Sequence, residues 1–258
     1  MCCDPLARCV GPQNESLKQR HMKNCFSLIL ALMLSVSAMA DLKPLRVVVL
    51  GDDPMMVSDS AVGAVGYATL LEPLFDAAVT VDVQASATLL PNDPAALLEP
   101  AQKGDVVLLC KLPVEAEVED KTMADIYLDQ LLAIAQAAKK KGVKIVWLTP
   151  ASPRYFTADS AQVHRLGVYP EVIRRLCKRD ELSLVDVEKL TFDWLTSEGL
   201  EKSAAAFLPV QPASEAAAEK AAREGYLLTE AGAQRVAQLI GHALRVDKKN
   251  ILSKRLRP

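Results

Sequence analysis

The sequence predicts a three-layer α/β/α sandwich built on a five-stranded parallel sheet, and three observations carry that prediction. Short apolar, β-branched runs alternate with longer amphipathic segments from residue 45 onward, the order that strands joined by helices produce. The runs are nearly continuous in apolar residues, as strands covered on both faces must be. No internal repeat and no linker divides the chain, so a single core is expected.

The first strand is read at Leu45 to Leu50, followed by Val79 to Val83, Asp105 to Cys110, Val143 to Leu148 and Leu182 to Val185. Helical segments are expected at Ala64 to Phe75, Pro94 to Gln102, Lys121 to Lys141, Gln162 to Arg179 and Glu230 to Arg245. Thr229 is placed to N-cap the last of these through its hydroxyl oxygen. The Ala/Glu/Lys-rich stretch from Ala213 to Arg223 reads as a further helix or a lid segment. Ligand sites in such sheets form at the carboxyl ends of the strands, where strand order reverses. The loops after Leu50, Val83, Cys110 and Leu148, and the loop entering the last helix, are therefore where chemistry is sought.

Ahead of the first strand, the chain from Met22 reads MKNCFSLILALMLSVSAMA, with basic Lys23, an apolar run from Phe26 and a closing Ala38-Met39-Ala40. That is the pattern of a signal peptide with its cleavage site, and it falls short of the roughly 20 apolar residues that span a bilayer. Export to the periplasm or beyond is expected, with Asp41 as the new N-terminus and no membrane attachment after cleavage. Residues 1–21 precede this pattern and read as an over-extended start. The rest divides into one domain at 41–246 and a basic tail at 247–258, expected to be a solvated, frayed end.

Without residues 1–40 the chain keeps 26 Lys/Arg against 30 Asp/Glu, a net charge near −4. No basic stripe remains, which argues against a nucleic-acid partner. Of six cysteines only Cys110 and Cys177 survive export. A disulfide between them is conceivable in an oxidising compartment. Their positions at a strand end and on a helix favour two buried thiols that behave as small hydrophobes.

Six segments, in order, carry a family resemblance: VVVLGDDPMM, GYATLLEPLF, KGDVVLLCKLP, VKIVWLTPASPRYF, VYPEVIRRLCKRDELSLVDV and GYLLTEAGAQRVAQLI. Together they resemble the SGNH (GDSL-type) hydrolases, in particular the branch of the rhamnogalacturonan acetylesterases, and they cover nearly all of the chain after the leader. The resemblance implies a flavodoxin-like sandwich and a serine esterase site. Such a site needs a nucleophile, a histidine base oriented by an aspartate, and donors for the oxyanion.

The residues at the matching positions depart from that chemistry. Asp53 stands where the resemblance places the serine of G-D-S. An aspartate there could transfer an acyl group only through an anhydride. The oxyanion-hole asparagine position holds Pro113, which lacks both an amide side chain and a backbone N–H, and the glycine of the same motif is Lys111. The glycine expected after the second strand has no counterpart, because no glycine occurs between Gly66 and Gly104. The aspartate and histidine of the last motif are replaced by Glu224 and Leu227. No catalytic residue is therefore expected among these positions.

Substitutes are scarce. His242 lies about 13 residues into the last helix, roughly 20 Å along its axis from the loops, and reads as a helix-surface residue. His164 falls between the fourth and fifth strands, away from the expected site. Ser58 and Ser60 have no base in sequence proximity and read as loop serines. Asp52, Asp53, Lys111 and Glu224 are expected to meet at the loop mouths, with Asp53 facing Lys111, as an ion-paired plug or a polar ligand site. A hard cation would need more oxygens than Asp52, Asp53 and Glu224 supply, so neither a metal nor a cofactor is expected. The Gly51-Asp52-Asp53-Pro54 loop also resembles the acidic pair of response-regulator receiver domains. Those require a phospho-accepting aspartate at the third strand end, where this chain has Cys110-Lys111.

The reading that results is an exported protein of this fold, catalytically degenerate and retained as a polysaccharide-binding or structural module. The competing reading is a carbohydrate O-acetylesterase with a non-standard active site.

Overall fold

Five strands hydrogen-bond in the order β2-β1-β3-β4-β6, all parallel: β1 (Leu45–Gly51), β2 (Val79–Val83), β3 (Val106–Cys110), β4 (Lys144–Leu148) and β6 (Ser183–Val185). The computed structural model describes residues 43–85, 91–113, 122–214 and 217–257. The expected leader and its cleavage site lie outside these residues. A second, two-stranded antiparallel sheet joins β5 (Arg154–Tyr155) to β7 (Glu224–Gly225). The helices are α1 (Pro94–Leu97), α2 (Met123–Lys141), α3 (Tyr169–Arg179), α4 (Val187–Ser203), α5 (Ala218–Ala221) and α6 (Glu230–Val246). No helix among the described residues is long and apolar enough to cross a membrane.

Alternation along each strand sends successive side chains to opposite faces. Val47, Val49, Leu108, Val146 and Leu148 face one way, against Trp194 and Leu195 of α4 and Val236, Ile240 and Leu244 of α6. Val48, Leu50, Val107, Leu109 and Trp147 face the other, against Tyr127, Leu131 and Ile134 of α2 and Val172, Ile173 and Leu176 of α3. All of these side chains are at most 7% exposed, which is why the strands read as unbroken apolar runs rather than as an alternating pattern. Cys110 and Cys177 are buried and free, as thiols packed in the core.

The helices follow the sequence where their ends are chemically marked. In α2, Thr122 accepts a hydrogen bond from the Asp125 N–H while the Asp125 carboxylate accepts from the Thr122 N–H, and Gly142 closes the helix at a φ of 75°. Thr229 caps α6, accepting from the Gly232 N–H at 3.3 Å. Where prolines intervene, the expected helices shrink. Residues 64–75 form two 3-10 turns, Tyr67–Leu70 and Glu72–Leu74, because Pro73 supplies no N–H. Pro100 stops α1 after one turn, and α3 begins only at Tyr169, with Pro170 in its first turn. Of the stretch 213–223 only Ala218–Ala221 is α-helical, and residues 215 and 216 lie outside the described set.

Two features depart from expectation. Helix α4 was not anticipated at all. Its apolar residues Val187, Leu190, Trp194 and Leu195 fall on one helical face, and Asp186 caps it by accepting from the Lys189 N–H at 3.3 Å. The basic tail is docked rather than frayed: Leu252 is fully buried, Arg255 pairs with Asp76 at 2.9 Å, and the Arg257 N–H donates to the Leu74 carbonyl at 2.9 Å.

Helix α6 starts directly against the turn at Ala204–Ala206. A Cβ on Gly232 would lie 2.0 Å from the Ala206 carbonyl oxygen, a backbone atom that cannot rotate away. In an open helix Gly→Ala gains roughly 1 kcal/mol. Here Gly232→Ala should instead cost about 2 kcal/mol through overpacking, seen as a lower urea midpoint with an unchanged m-value.

Candidate functional site

The carboxyl end of β1 carries the predicted loop, and the sheet register decides what each of its residues meets. Gly51 is paired with Cys110 on β3, so the next residues along, Asp52 and Lys111, come side by side. Gly51 itself has no room for a side chain, since a Cβ there would lie 1.8 Å from the Met56 sulfur. Met56 therefore folds back across the strand end and is completely buried.

Asp52 and Lys111 form a buried ion pair. The Lys111 ammonium donates to Asp52 Oδ2 at 3.0 Å and to the Leu112 carbonyl at 2.9 Å, while the Leu112 N–H donates to Asp52 Oδ1 at 2.6 Å. Both side chains are 1% exposed. The Tyr127 hydroxyl of α2 donates to the Lys111 carbonyl at 2.5 Å and fixes the loop from the other side.

Asp53 turns away from this pair. Its Oδ1 accepts from the Met55 N–H at 2.9 Å, and its Oδ2 accepts from the Ala151 N–H at 2.7 Å, tying the β1 loop to the β4 loop. The residue is 2% exposed. Burial pushes its pKa up to about 6, opposed by the two N–H bonds. Tyr67 and Cys110 are completely buried nearby; burial, with the Asp53 charge added, drives both their pKa values well upward.

The expected cluster of Asp53, Lys111 and Glu224 is thus replaced by a different pairing. Lys111 takes Asp52 as its partner. Glu224 sits on β7, where its carboxylate lies 3.8 Å from the Lys220 ammonium. Pro113 is half-buried in the loop after β3, and Leu227 is half-buried with its carbonyl accepting the Leu208 N–H at 2.8 Å. The Ser58 hydroxyl oxygen accepts from the Gly66 N–H at 2.8 Å, the loop-stabilising role expected of it; Ser60 and His242 are exposed. Among the described residues no group of three or more His, Cys, Asp or Glu could hold a metal ion.

A second polar cluster occupies the carboxyl ends of β4 and β6. The Thr149 hydroxyl donates to Asp186 at 3.1 Å and accepts from the Glu188 N–H at 2.8 Å. Arg174 of α3 holds Asp186 through Nε at 2.7 Å and also donates to Glu188. Burial alone would raise the Asp186 pKa, but the bonds from Arg174 outweigh it and hold the carboxyl below its ordinary range. Glu188, 5% exposed, reaches His164 Nδ1 at 2.6 Å, and the His164 ring stacks on Phe192 at 3.7 Å and 5°. The sequence placed His164 away from any site; the fold gives it a carboxylate and leaves the ring 64% exposed.

The chain shares its architecture with protein YXIM from Bacillus subtilis, at a TM-score of 0.59 and 19% identity over 82% of this chain and 58% of that one. It also superimposes on the acetyl xylan esterase AlAXEase, at a TM-score of 0.52 and 17% identity over 77% of this chain and 99% of that one. The chain thus has the α/β fold of these structures, a five-stranded parallel sheet between helical layers, consistent with the SGNH hydrolase fold that its sequence resembles. In sequence, rhamnogalacturonan acetylesterase RhgT of Bacillus subtilis (strain 168) is 26% identical over 114 residues, 44% of this chain. The matched region spans about half of that protein (49%). No protein-family model matches the chain. On this fold Asp53 and Lys111 lie at the carboxyl ends of β1 and β3, where ligands of open α/β sheets bind.

Two stability effects follow from the buried charges. Asp53 holds its proton more tightly folded than unfolded, so its contribution is fully present below about pH 4 and is lost as the pH rises through 6. Stability should fall by on the order of 3 kcal/mol across that window, and Asp53→Asn, which cannot titrate, should flatten the urea midpoint plotted against pH. Lys111→Met leaves the Asp52 carboxylate buried without its cation and should cost roughly 3–5 kcal/mol in chemical denaturation.

Proposed function

We propose that this chain is an exported protein of the SGNH hydrolase fold that has given up ester hydrolysis and acts as a carbohydrate-binding or structural module. The observation that carries the reading is the state of Asp53. Both of its carboxylate oxygens accept backbone N–H bonds at 2.7 and 2.9 Å in a site 2% exposed, so it is a bracket between two loops rather than a nucleophile. The position that the resemblance gives to the oxyanion donor is Pro113, which has no N–H to offer, and the position of the base is Leu227. Lys111 is consumed by Asp52. Carbohydrate as the ligand class is supported by the likeness to a rhamnogalacturonan acetylesterase, and export by the Lys23-to-Ala40 pattern.

A second reading is favoured by one observation. His164 carries an exposed imidazole whose Nδ1 is engaged by a buried carboxylate, the arrangement that orients a general base. An O-acetylesterase with a non-standard site would draw on that dyad.

The purified protein should neither be labelled by a fluorophosphonate probe nor hydrolyse aryl acetates above the buffer rate. Asp53→Ser alone should not restore turnover, because base and oxyanion donors are still lacking. Stoichiometric serine labelling would sink the first reading. Turnover that disappears in His164→Ala would establish the second. Retarded migration in gels cast with a pectin-type polysaccharide is the expected sign of carbohydrate binding.

A further inference from the structure

Arg154 is the one arginine of β5, and its guanidinium is buried in a way the other buried cations are not. The residue is 3% exposed. Nε donates to the Ser203 hydroxyl at 3.1 Å, Nη1 to the carbonyls of Ala222 at 2.9 Å and Glu224 at 3.3 Å, and Nη2 to the Leu200 carbonyl at 2.7 Å. These acceptors are all neutral. Lys111 has Asp52, Arg255 has Asp76, and Arg174 has Asp186 and Glu188, whereas no carboxylate among the described residues pairs with Arg154. A guanidinium has five N–H groups, so the four bonds leave one on Nη2 unused.

Arg154 also lines a cavity of about 290 Å³, whose other walls include Phe207, Leu208, Pro209, Val210 and Ala218. Glu224 also borders it, with its carboxylate near Lys220 at 3.8 Å. A buried charge is costly unless an opposite charge meets it. Arg154 Cζ also lies 5.5 Å from the Phe156 ring centroid, a contact that eases burial of the charge without neutralising it. A largely apolar chamber whose wall holds a cation that no carboxylate pairs is complementary to an anion with an apolar body.

We propose that this cavity binds a small amphiphilic monocarboxylate, its carboxylate on the Nη2 edge of Arg154 and its hydrocarbon part among Phe207, Leu208 and Val210. The volume is at the small end for ligand pockets and suits a compound of about ten non-hydrogen atoms. This site is separate from the Asp53 loop, and it stands or falls independently of polysaccharide binding or ester hydrolysis.

Phe207 provides a reporter, since its ring stacks near Trp194 at 6.2 Å and 17°. The full chain would be titrated with octanoate and, separately, with octan-1-ol, reading tryptophan fluorescence and heat. Saturable octanoate binding, at least tenfold tighter than that of the alcohol, is expected, and Arg154→Met should weaken it by tenfold or more. Because Arg154 also ties three backbone segments together, a second variant leaves it in place: Val210→Trp fills the chamber and should abolish octanoate binding with no loss in melting temperature. Equal affinity for octanoate and octanol would show that Arg154 is only a strut. Absence of saturable octanoate binding to the wild-type chain, or wild-type binding by Val210→Trp, would overturn the site.

Discussion

Two adjacent carboxylates buried at the end of β1 constrain the whole carboxyl end of the sheet. Neighbouring anions in a poorly solvated site repel one another and each needs its own compensation. Asp52 takes a full countercharge from Lys111 and a backbone N–H from Leu112. Asp53 takes no cation and is met by two backbone dipoles, from Met55 and Ala151. The first solution welds the β1 loop to the β3 loop. The second welds it to the β4 loop, at the expense of a carboxyl group whose pKa rises to about 6. The loops after β1, β3 and β4 are thereby held in one arrangement.

The sheet was legible in the sequence because burial on both faces leaves a compositional trace that needs no partner to be recognised. All five parallel strands fall where the apolar, β-branched runs placed them, to within one residue at either end. The helical layers were less legible, for reasons that differ between segments. At 64–75 and 94–102 the apolar spacing is real, but Pro73 and Pro100 withdraw the N–H that would continue the ladder, and 3-10 turns or a single helical turn result. At α4 the signal was present in the spacing from Val187 to Leu195 and in the Asp186 cap, but Thr191, Phe192 and Trp194 mix strand-favouring residues into the helix and Gly199 breaks it at a φ of 75°. Docking of the tail through Arg255 and Asp76 joins residues 179 positions apart, and no local pattern announces such a pair.

The candidate site was legible as a set of residues and not as a set of contacts. Asp52 and Asp53 follow β1 and Lys111 follows β3, all three buried, and the carboxylate that faces Lys111 is Asp52, not the Asp53 expected. The distinction depends on register: Gly51 opposite Cys110 brings Asp52 opposite Lys111, and the next residue along an extended chain points to the other face. Register is a property of two strands together, and each strand read alone is silent on it. Glu224 fails for a related reason. Its place at the site was implied by the last family motif, but it lies on β7, paired with β5, with its carboxylate near Lys220.

The buried and half-buried cations then separate structural from receptive chemistry. Where the fold needs a cation for its own cohesion, it supplies the anion too, as Asp52 does for Lys111 and Asp186 and Glu188 do for Arg174. Such pairs are closed, because each partner already satisfies the other and removal of either strands a charge. Arg154 is the exception, solvated by three carbonyls and a hydroxyl that lower the cost of burial without cancelling the charge. The Asp53 end of the sheet is closed in this sense. Beside Arg154, by contrast, lies a cavity whose buried cation is met by neutral acceptors and by no carboxylate among the described residues, so its charge is left for something outside the chain to balance.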